Sequence, residues 1–143
     1  YPTETNEELQ MTVNLMFKLW KDNKNIIPGN IKPFIPYPGT PLYDMAVEYG
    51  FKPPTSVEGW ADITWDNYLN INIPWLTEAD KKKRVNLYYA SVLMSPEYMF
   101  IRNKFFKLAT TIISPLMKFR VKKLNFTLPV EIAAARAIHH GLL

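Results

Sequence analysis

The chain has 143 residues, 48% hydrophobic and 14% aromatic with only 21% charged, which fits one domain or a large piece of one and excludes a disordered chain. It has no cysteine, two adjacent histidines and five glycines without phosphate-loop spacing. Those counts exclude a disulfide scaffold, a cysteine-ligated zinc, a thiol nucleophile, an iron–sulfur cluster held by this chain alone and a glycine-rich nucleotide loop, and they leave a histidine triad almost no raw material.

The net charge of +4 is unevenly placed, with residues 1–80 summing to −6 and residues 81–143 to +10. The two halves therefore face different surroundings, or each other. Eight of the twelve prolines lie between Pro28 and Pro74, so the chain reads as a helix, a proline-rich middle and a long basic helical tail. The opening YPTETNEEL has neither the basic start nor the apolar stretch of a signal peptide, and uncharged runs stay well short of the roughly 20 apolar residues of a membrane span.

Taken in chain order, the first predicted element is a helix opened by the capping box Thr5-Asn6-Glu7-Glu8. Leu9, Val13, Met16 and Trp20 recur at helical spacing with Phe17 beside them, and Lys18 and Lys21 mark the solvated side. Ile31, Phe34 and Ile35 suggest a short strand, confined to an edge or ended early because Pro33 and Pro36 donate no amide. Pro38-Gly39 is a turn pair, Thr40 an N-cap and Pro41 a first helical residue, so a short helix is expected from Pro41 to Tyr49, stopping at Gly50. Residues 51–76 hold Trp60, Trp65 and Trp75 among prolines and asparagines, and are expected to form a long irregular stretch pinned by aromatics.

Thr77 then caps a helix to about Met94 with Val85, Tyr88, Tyr89 and Val92 on one face, and Lys81-Lys82-Lys83-Arg84 reads as a solvated face. Ser95-Pro96-Glu97 starts another helix, whose stripe is Tyr98, Ile101, Phe105, Leu108 and Ile112, and Ser114-Pro115 is expected to break or kink it. A last helix should run from Pro129 to His139 and end at Gly141. His139 and His140 point different ways on a helix, so they form no i, i+4 metal pair and are assigned no site role.

The order of Thr-Glu-Thr loop, amphipathic helix, short strand and PYPGTPLY leading into a helix resembles the late part of the barrel of radical S-adenosylmethionine enzymes. It resembles in particular the group with a cobalamin-binding domain upstream, which includes the anaerobic magnesium-protoporphyrin monomethyl ester cyclases and many methyltransferases. Tyr1-Pro2-Thr3-Glu4-Thr5 is similar to the loop after the fifth barrel strand, and Pro36-Tyr37-Pro38-Gly39-Thr40-Pro41-Leu42-Tyr43 to the end of the sixth strand and its turn. Gly59-Trp60 and Trp65-Asp66 are similar to the region after the barrel. The resemblance covers residues 1–76, and from Thr77 on only the style of the helices matches.

The expected fold class is therefore mostly α: the C-terminal fragment of a radical (β/α) barrel with at most one or two short strands and a helical tail. The expected division is 1–50 as the end of the barrel, 51–76 as the aromatic and proline-rich segment, and 77–143 as the basic helical region. The family's cluster cysteines are missing here, so the expectation is that this fragment is non-catalytic. Its parent would bind a 4Fe–4S cluster and S-adenosylmethionine and act on a large apolar or tetrapyrrole-like substrate; whether it uses cobalamin is left open. By position in the motif, Thr3, Glu4, Phe34, Ile35 and Pro36 would lie nearest the adenosine part of S-adenosylmethionine, and this chain itself supplies no metal ligand.

The expected partner is the remainder of the parent enzyme, in a cytoplasmic setting. A second reading makes the chain a non-catalytic helical module on an anionic membrane surface or a partner protein. It rests on Arg102, Lys104, Lys107, Lys118, Arg120, Lys122 and Lys123 beside Phe100, Ile101, Phe105 and Phe106. Nucleic acid is not expected as a partner, because no binding module accompanies the basic residues.

Overall fold

A computed structural model describes residues 1–23, 25–26, 30–65, 67–95 and 104–141. The described residues form helices α1 (Asn6–Asp22), α2 (Pro41–Glu48), α3 (Val57–Ala61), α4 (Glu78–Leu93), α5 (Lys104–Lys123) and α6 (Val130–Gly141), with one 3-10 turn at Tyr68–Asn70 and no strand. The expected mostly helical class is what the chain adopts. The expected strand at Ile31–Ile35 is replaced by an irregular segment. Pro33 and Pro36 cannot donate, and the Ile31 amide is taken by the Ser91 hydroxyl at 3.0 Å instead of a neighbouring strand. The segment is nonetheless interior, with Pro33, Ile35 and Pro36 buried.

The chain divides into two compact units that interleave along the sequence. The first comprises Tyr1–Thr5 and Lys32–Val85, the second Asn6–Ile31 and Asn86–Leu143. The boundary on the C-terminal side falls within α4 itself.

In the first unit, Thr40 caps α2 by accepting from the Tyr43 amide at 3.2 Å, and Pro41 occupies the first turn as expected. The far end of α2 is a Schellman motif: Gly50 donates to the Val47 carbonyl and Phe51 to that of Ala46, both at 2.9 Å. Gly50 has φ +93, which an L side chain resists, and the buried Phe51 covers the buried Ala46. Residues 51–76 are more regular than the sequence implied. Ser56 caps α3 through the Gly59 amide, and separate bonds to the exposed Glu58 carboxyl, from its own backbone first and from the Ser56 side chain next, hold it below its usual range. The glycine at 59 is required by packing, since a Cβ there would lie 2.7 Å from Pro54.

Thr77 and Asp80 form a second capping box. The Thr77 hydroxyl accepts from the Asp80 amide at 3.1 Å and donates to the Asp80 carboxylate at 2.6 Å, while the Thr77 amide reaches the same carboxylate at 3.3 Å. The Thr77 hydroxyl is the main reason the Asp80 carboxyl lies below the usual carboxylate range. From there α4 departs from its expected single stripe. Leu87, Tyr89, Ala90, Ser91 and Leu93 are all buried, whereas Tyr88 and Val92 are only half-buried. A helix interior on most sides carries little amphipathic contrast, so periodicity alone places its inner face poorly.

In the second unit, α1 buries Leu9 and Val13 and half-buries Met16, Phe17 and Trp20, the stripe expected from spacing. It packs against α5, where the Gln10 side chain donates to the Lys122 carbonyl at 3.1 Å and the Lys118 ammonium sits 4.5 Å from the centre of the Trp20 ring. The inner face of α5 is Thr110, Ser114, Met117 and Val121, all buried. That corrects the expected stripe: Leu108 and Ile112 are 60% and 72% exposed, and Tyr98 and Ile101, like the start at Ser95-Pro96-Glu97 beyond Ser95, lie outside the described residues. Nor does Ser114-Pro115 end the helix. Pro115 faces solvent, so the carbonyl four residues back can be hydrated while the helix continues, and the buried Ser114 hydroxyl donates to the Met94 carbonyl at 2.7 Å.

The turn into α6 is gathered by Arg120. Its guanidinium donates to the carbonyls of Asn125, Thr127 and Leu128 and pairs with Glu131. Those bonds hold a backbone in which Leu124 and Leu128 both have φ +47, a conformation costing about 1–2 kcal/mol per side-chain-bearing residue.

Candidate functional site

The two segments singled out by motif, Tyr1–Glu4 and Phe34–Pro36, meet in the first unit. The Tyr1 ring stands edge-on to Phe34 with centroids 6.3 Å apart, and a turn closes the terminal segment, the Glu4 amide donating to the Tyr1 carbonyl at 3.0 Å. The five candidate residues offer themselves unequally. Thr3 is exposed, Glu4 and Phe34 are half-buried, and Ile35 and Pro36 are buried among the unit's own side chains. Contact from Ile35 or Pro36 to a ligand would therefore come from backbone atoms, and Pro36 could offer only its carbonyl.

Glu4 already has a protein partner. Arg84 of α4 donates to its carboxylate at 3.1 Å, and both side chains are mostly buried, 11% exposed for Arg84 and 16% for Glu4. Tyr68, only 1% exposed, belongs to the same neighbourhood. Burial pushes its hydroxyl up to about 12, with Arg84 pulling the value down and Glu4 pushing it up by lesser amounts. The cluster is thus an oriented carboxylate, a guanidinium and a neutral phenol held beside the Tyr1–Phe34 pair. Tyr68 is closed to solvent and Arg84 nearly so, and the part of this set that a ligand could reach is therefore the edge of the Glu4 carboxylate, as an acceptor.

Arg84 supplies this cluster and Lys81 is buried, contrary to the solvated face expected of Lys81–Arg84. Lys81 is only 6% exposed, and its ammonium donates to the carbonyls of Ile71 at 3.1 Å and Leu69 at 3.3 Å while pairing with Glu78 at 2.7 Å. Lys82 alone of the four is fully on the solvent side. A signal for this was present in the register. Val85 is an inward position, and Lys81, four residues before it, shares its helix face. Charge identity outweighed register in the sequence reading, while the carbonyls that receive Lys81 lie on an irregular segment whose path no spacing predicts.

Two tryptophans of the irregular segment are anchored within the first unit. Trp60 lies 6.4 Å from Tyr43, centroid to centroid, and the Lys32 ammonium sits 3.6 Å above the Trp65 ring, which stays 38% exposed. Trp75 is half-buried and Asp66 lies outside the described residues. Among the described residues no three of His, Asp and Glu gather closely enough to hold a metal ion, and the side chains of His139 and His140 lie outside them. Comparison with models of known protein families, with curated proteins and with solved structures found no match.

Proposed function

We propose that this chain is the C-terminal region of a radical S-adenosylmethionine enzyme of the group with an upstream cobalamin-binding domain, acting on a large apolar or tetrapyrrole-like substrate. The observation that supports it best is local. The PYPGTPLY motif is realised as a buried extended end at Pro36, a turn with Gly39 at φ +83, and a Thr40-capped helix starting at Pro41, in the same unit as the Thr-Glu-Thr segment. The family's cluster does not fit this chain, which has no thiolate to hold iron, so cluster chemistry belongs to the rest of the parent. S-adenosylmethionine fits better. Thr3 is exposed and Phe34 half-buried, so both could contact its adenosine part, and Arg84 keeps the mostly buried Glu4 carboxylate in one orientation beside them.

The test is the coding sequence upstream of Tyr1, followed by anaerobic assay of the whole protein. A Cys-x-x-x-Cys-x-x-Cys motif upstream, and reductive cleavage of S-adenosylmethionine by the full-length protein, are expected. Weaker S-adenosylmethionine binding is expected in its Glu4→Ala variant. An upstream frame without those cysteines would refute the assignment.

A further inference from the structure

The outer side of α5 carries a feature that the core does not use. Leu108, Ile112, Leu116 and Phe119 are exposed at 60%, 72%, 44% and 55%. At about 100° per residue these four fall within one sector of the helix, opposite the buried Thr110, Ser114, Met117 and Val121. α5 therefore has one mixed face spent on its own unit and an apolar sector turned outward over about 16 Å of helix length.

The charges of α5 are of one sign. Its 20 residues include Lys104, Lys107, Lys118, Arg120, Lys122 and Lys123 and no acid. Arg120 is committed to Glu131 and the turn, and Lys118 lies over Trp20. Lys107, Lys122 and Lys123 are exposed. Lys122 lies at one edge of the apolar sector and Lys123 within the sector just past Phe119, so two exposed cations close its C-terminal end, whereas Lys107 lies round toward the buried face.

We propose that the outer face of α5 docks in the interface of an anionic lipid bilayer, with Leu108, Ile112, Leu116 and Phe119 entering the headgroup–acyl boundary and Lys122 and Lys123 meeting lipid phosphates. An exposed apolar stripe with exposed lysines at its end is what an interfacial helix requires, and anionic headgroups complement its charge. The same charge argues against a second copy as occupant, because two α5 faces would bring only cations together. The helix lies on the bilayer and does not cross it: among the described residues no helix is long and apolar enough to span. This inference is independent of the radical-enzyme reading, since it rests on α5 alone.

The test is co-sedimentation of the full 143-residue chain with vesicles of phosphatidylcholine, alone or mixed with phosphatidylglycerol, at low and high salt. Three proteins are compared: the parent, Lys122→Glu with Lys123→Glu, and Ile112→Ser with Leu116→Ser. All altered side chains are exposed, so far-UV circular dichroism should be unchanged. Binding only to the anionic vesicles, falling with salt, is expected. The charge reversal should weaken it by about 100-fold or more, and the serine variant by about 10-fold. No binding at low salt, equal binding to neutral vesicles, or binding indifferent to either variant would overturn the proposal. So would concentration-dependent dimerisation abolished by the serine variant, which would make a second copy the occupant.

Discussion

Replacing Lys81 by methionine isolates the part of α4 that the solvated-face expectation misjudged. The substitution keeps the length and apolar stem of the side chain and removes only the ammonium. The carbonyls of Ile71 and Leu69, 3.1 and 3.3 Å from that ammonium, then lose a donor. An unsatisfied buried carbonyl costs about 1–3 kcal/mol. Losing the pair with Glu78 adds little, because that carboxylate is 70% exposed and returns to water. Relief from desolvating an ammonium acts in the opposite direction and offsets part of the cost. The expected net effect is a loss of about 2 kcal/mol, or about 7 °C in Tm for a chain of this size. Thermal and urea unfolding followed by circular dichroism would measure it, with Lys82→Met as the matched control expected within about 0.5 kcal/mol of the parent. If Lys81→Met were as stable as Lys82→Met, the ammonium would not be bridging those carbonyls and the argument would be wrong.

Three further outcomes are expected. Glu4→Gln should destabilise the chain by about 2 kcal/mol by leaving the mostly buried Arg84 guanidinium unpaired, and a double-mutant cycle with Arg84→Met should show about 1 kcal/mol of coupling in equilibrium unfolding. Tyr68 should titrate near pH 12 in ultraviolet absorbance, a component that disappears in Tyr68→Phe. Because the folded value is raised, Tyr68 holds its proton in the folded chain between about pH 10 and 12 while the unfolded chain loses it. The stability it contributes is therefore complete below pH 10 and is lost as the pH rises through 12, roughly 3 kcal/mol in all. On α5, Met117→Ala should cost about 3 kcal/mol and Ile112→Ala less than about 0.5 kcal/mol, and the reverse order by chemical denaturation would invert the inner and outer faces assigned to that helix.

Local chemistry made much of this chain legible before any fold was seen. The capping residues Thr40 and Thr77, the first-turn Pro41 and the stop at Gly50 each act through bonds within a few residues, so their consequences are written in neighbouring positions. The stripe of α1 was legible because that helix buries one side only. Around the candidate site residues, neither the edge-on contact of Tyr1 with Phe34 nor the Arg84 partner of Glu4 is written in local spacing.

What tertiary structure alone decided is where charges and irregular backbone go. Lys81 looks like any surface lysine until the carbonyls of Leu69 and Ile71 are placed beside it, and an ammonium is stable indoors only where such acceptors converge. The proline-bearing segment at Ile31–Pro36 gave up its strand because its free amide found the Ser91 hydroxyl, 60 residues away along the chain. The register of α5 was hidden for a related reason. The side bearing Leu108, Ile112, Leu116 and Phe119 is the more apolar by sequence, and only packing with the rest of its unit chose the side of Thr110, Ser114, Met117 and Val121 for the interior.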